Sequence, residues 1–159
     1  MNPAHMHLLL NHIPVLALAS ATILLITARW RAQIEWTRLS MIFFVLAGTA
    51  SVPVFLTGEP AEEIIENIGG ISMMHLESHE NSAMVSLIGA CILGLLALAG
   101  LFFIELVHTR RMVWTTFFIV ALIANGLMMW TSNLGGKIHH IEIHNGFAPT
   151  ASQSADDDD

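Results

Sequence analysis

Charged residues are scarce in this chain. They make up 12% of its 159 positions, where soluble domains average about 25%, while 54% of positions are hydrophobic and the mean hydropathy is +0.64. That balance excludes an ordinary soluble domain and points to a membrane protein. Basic residues are scarcer still, six against 13 acidic ones. The acids gather between Glu59 and Glu80 and in the terminal run Asp156 to Asp159, so no nucleic-acid partner is expected. Only one cysteine is present, Cys91, inside an apolar run. A disulfide framework and a Cys-based metal site are both excluded, and Cys91 reads as a packing residue. Met1-Asn2-Pro3-Ala4-His5 lacks the basic n-region and small-residue cleavage site of a secretory signal, so the first apolar segment is expected to be retained.

Long apolar runs are present instead. Four of them, at about 8–28, 39–57, 82–107 and 113–134, approach the roughly 20 residues that a helix needs to cross a bilayer core. The expected fold is all-α, an integral membrane four-helix bundle within residues 1–147, followed by a disordered acidic tail at 148–159. Asn2 and Pro3 suit the cap and first position of the first helix. Pro14 cannot donate to the carbonyl of Leu10, so that helix should kink near His12. Gly58 and Pro60 stop the second span. The segment Glu59 to Glu66 reads as a short interfacial helix between helices two and three, with acids in its first turn and a stop at Gly69-Gly70. Ser72 can cap the third long helix, which should run through His75 and His79 to about Val107.

Within the spans, Ser82, Ser86, Ala90 and Gly94 form a small-residue ladder where a neighbouring helix should pack. Asn125, near the middle of the fourth span, needs a partner for its amide. Gly135-Gly136 should end or loosen the fourth helix, ahead of Lys137-Ile138-His139-His140-Ile141-Glu142-Ile143-His144. Met73-Met74 and Met128-Met129 read as packing rather than as thioether ligands.

Arg29, Arg31, Arg38, Arg110 and Arg111 fall in the two turns that join helices one to two and three to four. The positive-inside rule places those turns in the cytoplasm and both termini outside. The expected location is a bacterial inner membrane, with periplasmic termini. On this topology eight of the nine histidines, all but His108, gather at the outer end. They come from three separate helices: His5, His7 and His12 on the first, His75 and His79 on the third, and His139, His140 and His144 after the fourth. Such convergence is what a metal or haem site in a helical bundle requires. The plainer alternative is a set of solvated histidines at helix mouths.

The segment His7-Leu8-Leu9-Leu10-Asn11-His12-Ile13-Pro14 resembles the H-P-L-L-V-H-F-P opening of an uncharacterised bacterial family of four-helix membrane proteins. Both histidines and the proline match in spacing, while Leu8 stands where the family has proline. The family's third helix also opens on a histidine-bearing segment, similar to His75 to Glu80. Its fourth ends in Gly-Gly followed by a histidine, similar to Gly135 to His140, with Glu142 near the place of the family's last histidine. The family is suspected of resembling membrane b-type cytochromes. The resemblance therefore implies haem binding and electron transfer.

Haem b needs an axial imidazole on each face of its iron and an apolar slot. With no Cys-x-x-Cys-His segment in the chain, any haem would be non-covalent. Depth along the helices favours His12 and His79 as ligands, with His140 next, and leaves His7 and His75 for a second haem. Glu77, Glu80 and Glu142 are candidates to orient a ligand ring, or are rim residues. The expected partners are other membrane redox subunits or a periplasmic cytochrome, with a quinone or a second copy of the chain as further candidates. Two other functions stay open. One is a non-haem iron or zinc protein using the same histidines with Glu62, Glu66, Glu77 and Glu80. The other is a cofactor-free structural subunit of a respiratory complex.

Overall fold

Asn2 starts the first helix, its side chain accepting from the Ala4 N–H at 2.9 Å ahead of Pro3. The computed structural model describes residues 2–66 and 73–139, and every element among them is an α-helix. These are α1 (Pro3–Leu10), α2 (His12–Arg31), α3 (Ile34–Leu56), α4 (Gly58–Glu66), α5 (Met73–Phe102), α6 (Ile104–Thr109) and α7 (Arg111–His139). The expected Ser72 cap, the Gly69-Gly70 stop and the acidic tail lie outside the described residues.

The break between α1 and α2 falls at Asn11. Pro14 has no N–H for the Leu10 carbonyl, so the helical ladder is interrupted there, yet Asn11 keeps helical dihedrals and its N–H still reaches the His7 carbonyl at 3.0 Å. At the far end α2 stops at Ala32, a left-handed residue with φ 51°, after Arg29 and Arg31 in its last turn. α3 carries Pro53 near its end and gives way at Thr57 to α4, the short helix expected there.

α2, α3, α5 and α7 form the bundle, with contacts running α2–α3, α3–α5, α5–α7 and back from α7 to α2. Four helical segments are long and apolar enough to cross a membrane, Pro3–Arg31, Ile34–Ile65, Met73–Phe102 and Arg111–Ile138. Their outward residues are large and apolar, among them Leu16, Ile23, Leu95 and Met129, as suits a multi-pass membrane protein. The interior is built from small residues around Leu18, Leu25, Met41, Phe44 and Leu93.

The small-residue ladder serves two neighbours rather than one. A four-residue step on a helix drifts by about 40°, so the face turns along α5. Ser82 and Ser86 meet Thr131 of α7. Gly94 meets α3 at Gly48, where a Cβ on Gly48 would lie 2.8 Å from the Ala90 carbonyl oxygen and 3.2 Å from the Gly94 Cα. Only glycine permits that approach. Asn125 finds its partner in Thr22 of α2, at 2.9 Å.

Two boundaries differ from expectation. The third long helix stops at Phe102, and Phe103 (φ −115°, ψ 39°) turns the chain into α6. The fold-back buries Val107 beside Gly100, which lacks the side chain that would exclude it. α7, conversely, continues through Gly135 and Gly136 to His139. A helix packed along its length does not need good intrinsic formers at every position, and Gly135 is occupied with a contact of its own.

Candidate functional site

His79 stands on the face of α5 that meets α7. Its ring lies close enough to Gly135 that a Cβ there would be 3.0 Å from Cε1 and 3.3 Å from Nδ1. Nδ1 is 3.0 Å from the carbonyl oxygen of Thr131. Thr131 precedes Gly135 by four residues, so its carbonyl points along the helix toward that glycine, and the missing side chain is what opens it to the imidazole. The same threonine receives α5 twice more, its hydroxyl lying 2.6 Å from Ser82 Oγ and 2.8 Å from Ser86 Oγ.

His7 is held in a matching way at the end of α3. Its Nδ1 lies 3.1 Å from the Val54 carbonyl oxygen and 3.2 Å from Thr57 Oγ1. The Thr57 hydroxyl itself donates to Val54 O at 2.8 Å, so both groups accept from the ring. The imidazole is thereby a further donor to a carbonyl in the last turn of α3 that the Thr57 N–H and hydroxyl also bond.

These contacts determine the tautomer. A carbonyl oxygen can only accept, so in each ring Nδ1 carries the hydrogen. Nε2 of the neutral ring is then a bare lone pair, and no partner for either Nε2 is found among the described residues. Metal-ligating histidines commonly donate their other ring N–H in the same way.

No family model, curated protein or solved structure matches this chain. The likeness to a bacterial family over residues 7–14, 75–80 and 135–140 therefore stands on those segments alone.

The other candidate histidines are placed differently. His12 is exposed, on the same side as exposed Ile13 and Leu16. His75 is half-buried one turn before His79, next to buried Leu76. His5 is exposed. His108 lies at the opposite end, 2.8 Å from Thr37 Oγ1, where it ties α6 to α3. His140, Glu142 and His144 lie outside the described residues, and for His139 and Glu66 only the backbone is described. Among the described residues, no three His, Cys, Asp or Glu side chains form a group able to hold a metal ion.

His7 rather than His12 turns inward because of helical phase. At 100° per residue, His7, Asn11, Pro14, Leu18, Ala21 and Leu25 share one face, and His12 is about 140° from His7. Pro14, Leu18, Ala21 and Leu25 are all buried. Two further residues of the site, Thr57 and Thr131, carry no conspicuous signal in the sequence, and Gly135 reads there as a helix stop rather than as a seat for a ring. Only the small-residue pattern on α5 hints that a hydroxyl or glycine faces it.

Between α4 and α5 lies an open cleft of about 260 Å³ lined by Glu59, Glu62, Glu63 and Glu80. Glu77 is exposed. Glu62 and Glu80, two of the acids considered as mixed metal ligands, therefore share one cleft, with α4 supplying the first and α5 the second.

Proposed function

We propose that the protein is a membrane-embedded electron-transfer protein that holds haem b without covalent attachment, with His7 and His79 as the residues that would hold it. The observation that carries the proposal is the pair of imidazoles on separate helices, each with Nδ1–H committed to a backbone carbonyl and Nε2 left bare. Two neutral nitrogen donors are what haem iron takes from a protein, whereas zinc centres draw three or four protein ligands. Bound haem would supply one-electron exchange. The chain's own residues do the rest: Val54, Thr57 and Thr131 orient the rings, and the apolar spans keep water from the interior.

The five arginines of the opposite turns support a periplasmic location for the histidine end in a bacterial inner membrane. Electrons would then pass between this site and another membrane redox subunit, a periplasmic cytochrome or a quinone. His75 and His140 are the remaining candidates should a second haem be bound. Metal and pigment analysis of the purified protein tests the proposal: acid acetone should extract close to one or two equivalents of haem b per chain.

The second reading is a non-haem iron or zinc protein using the histidines with Glu62, Glu66, Glu77 and Glu80, of which Glu62 and Glu80 line the acidic cleft. A colourless protein from haem-sufficient cells that carries stoichiometric zinc or iron would replace the first proposal with this one.

A further inference from the structure

The two histidines are held by unequal means. His79 belongs to the 30-residue α5, and its ring is packed on Gly135 and bonded to Thr131. His7 belongs to α1, which has eight residues, none of them buried. It joins α2 through Asn11, whose helical dihedrals and 3.0 Å bond to the His7 carbonyl keep the two in one line. At its junction with α2, Pro14 withholds the N–H that the Leu10 carbonyl would accept, and the Asn11 Oδ1 is buried with no partner among the described residues. α1 is kept in place by its packing on α4 and by the bonds from His7 to Val54 and Thr57. Met6, Leu8 and Leu9 are 40, 53 and 54% exposed. Lipid solvates such side chains equally well whether α1 is docked or swung out, so no hydrophobic gain draws it shut.

We propose that α1 is a hinged arm that turns about Asn11 and carries His7 out of its seat at Thr57 and back. His79 is then the fixed donor of the pair and His7 the exchangeable one. That the exchange opens a coordination position rests on the haem proposal; the hinge does not. Were haem bound, withdrawal of His7 would leave room for a small neutral ligand, for which carbon monoxide is the simplest probe.

Two substitutions push the hinge in opposite directions. Thr57→Val removes one acceptor from the His7 seat, and Pro14→Ala restores the N–H for the Leu10 carbonyl. A nitroxide on Met6→Cys, in the full chain with Cys91→Ala and reconstituted in lipid nanodiscs, reports the arm without reference to haem. It should show docked and mobile populations, with the mobile one raised about fivefold in Thr57→Val, as expected for the loss of one neutral hydrogen bond. The mobile population should fall in Pro14→Ala and match wild type in Thr57→Ser, which keeps the hydroxyl. If Pro14→Ala fails to fold, the Thr57 pair still decides. In the reduced haem-bearing protein, the rate of carbon monoxide binding should follow the same order. A label equally immobile in wild type and Thr57→Val overturns the hinge, whatever the pigment. Mobility that follows the predicted order in a protein without haem upholds the hinge and overturns the haem proposal instead.

Discussion

Replacing Gly135 by alanine tests how His79 is seated. The new Cβ would stand 3.0 Å from Cε1 and 3.3 Å from Nδ1 of the ring, closer than ordinary van der Waals contact, so the imidazole must shift. Its 3.0 Å bond to the Thr131 carbonyl limits how far it can move without losing the bond. A lost neutral hydrogen bond costs about 1 kcal/mol and overpacking a further 1–3 kcal/mol or so. Against this, alanine in place of a helical glycine gains about 1 kcal/mol. The net expectation is a loss of about 1–3 kcal/mol. At Gly136, the next residue of the same helix, an added Cβ would meet nothing within 4 Å, so Gly136→Ala should retain the helical gain and stabilise by up to about 1 kcal/mol. Unfolding both variants from mixed micelles by titration with a denaturing detergent measures the difference, and their optical spectra report on the His79 ligand. A Gly135→Ala protein as stable as Gly136→Ala, with an unaltered spectrum, would refute the seating of His79 on this glycine.

Three further outcomes are expected. Gly48→Ala sets a Cβ against the Ala90 carbonyl and the Gly94 Cα, backbone atoms that cannot yield, so the α3–α5 crossing should open and folded protein should fail to accumulate in membranes; normal yield and stability would contradict the crossing. Asn125→Leu removes the bond to Thr22 and should cost about 0.6–2 kcal/mol in the same detergent titration. Ser78 and Thr109 are both exposed and lie at opposite ends, so in intact cells an impermeant thiol reagent should label Ser78→Cys but not Thr109→Cys; the reverse would place the histidines in the cytoplasm.

The spans and the short helix α4 are legible from hydropathy and from Gly58, Pro60 and the first-turn acids, because lipid imposes length and apolarity on any crossing helix. The need of Asn125 for a partner is equally plain from its place in an apolar run. Other features are beyond such patterns. Depth along the first helix favours His12, but its phase with Pro14, Leu18 and Ala21 turns His7 inward, and depth carries no information about phase. Gly135 has the composition of a helix stop. It lies instead inside α7, because the contact it makes with His79 is tertiary and 56 residues distant in sequence. Phe103 gives no sign of the fold-back at α6, which depends on room beside Gly100. Thr57 and Thr131 are ordinary threonines until a ring nitrogen is found beside the Thr57 hydroxyl and the Thr131 carbonyl.

The central claim is that His7 and His79 hold haem between them, and the most direct measurement is the reduced-minus-oxidised optical spectrum of three single variants beside wild type. His7→Ala and His79→Ala should each lose the b-type bands or show an altered ligand state, since alanine cannot replace an axial nitrogen. His12→Ala, which changes an exposed residue, should leave the spectrum as in wild type. Wild-type bands in both His7→Ala and His79→Ala, at normal expression, would contradict the assignment.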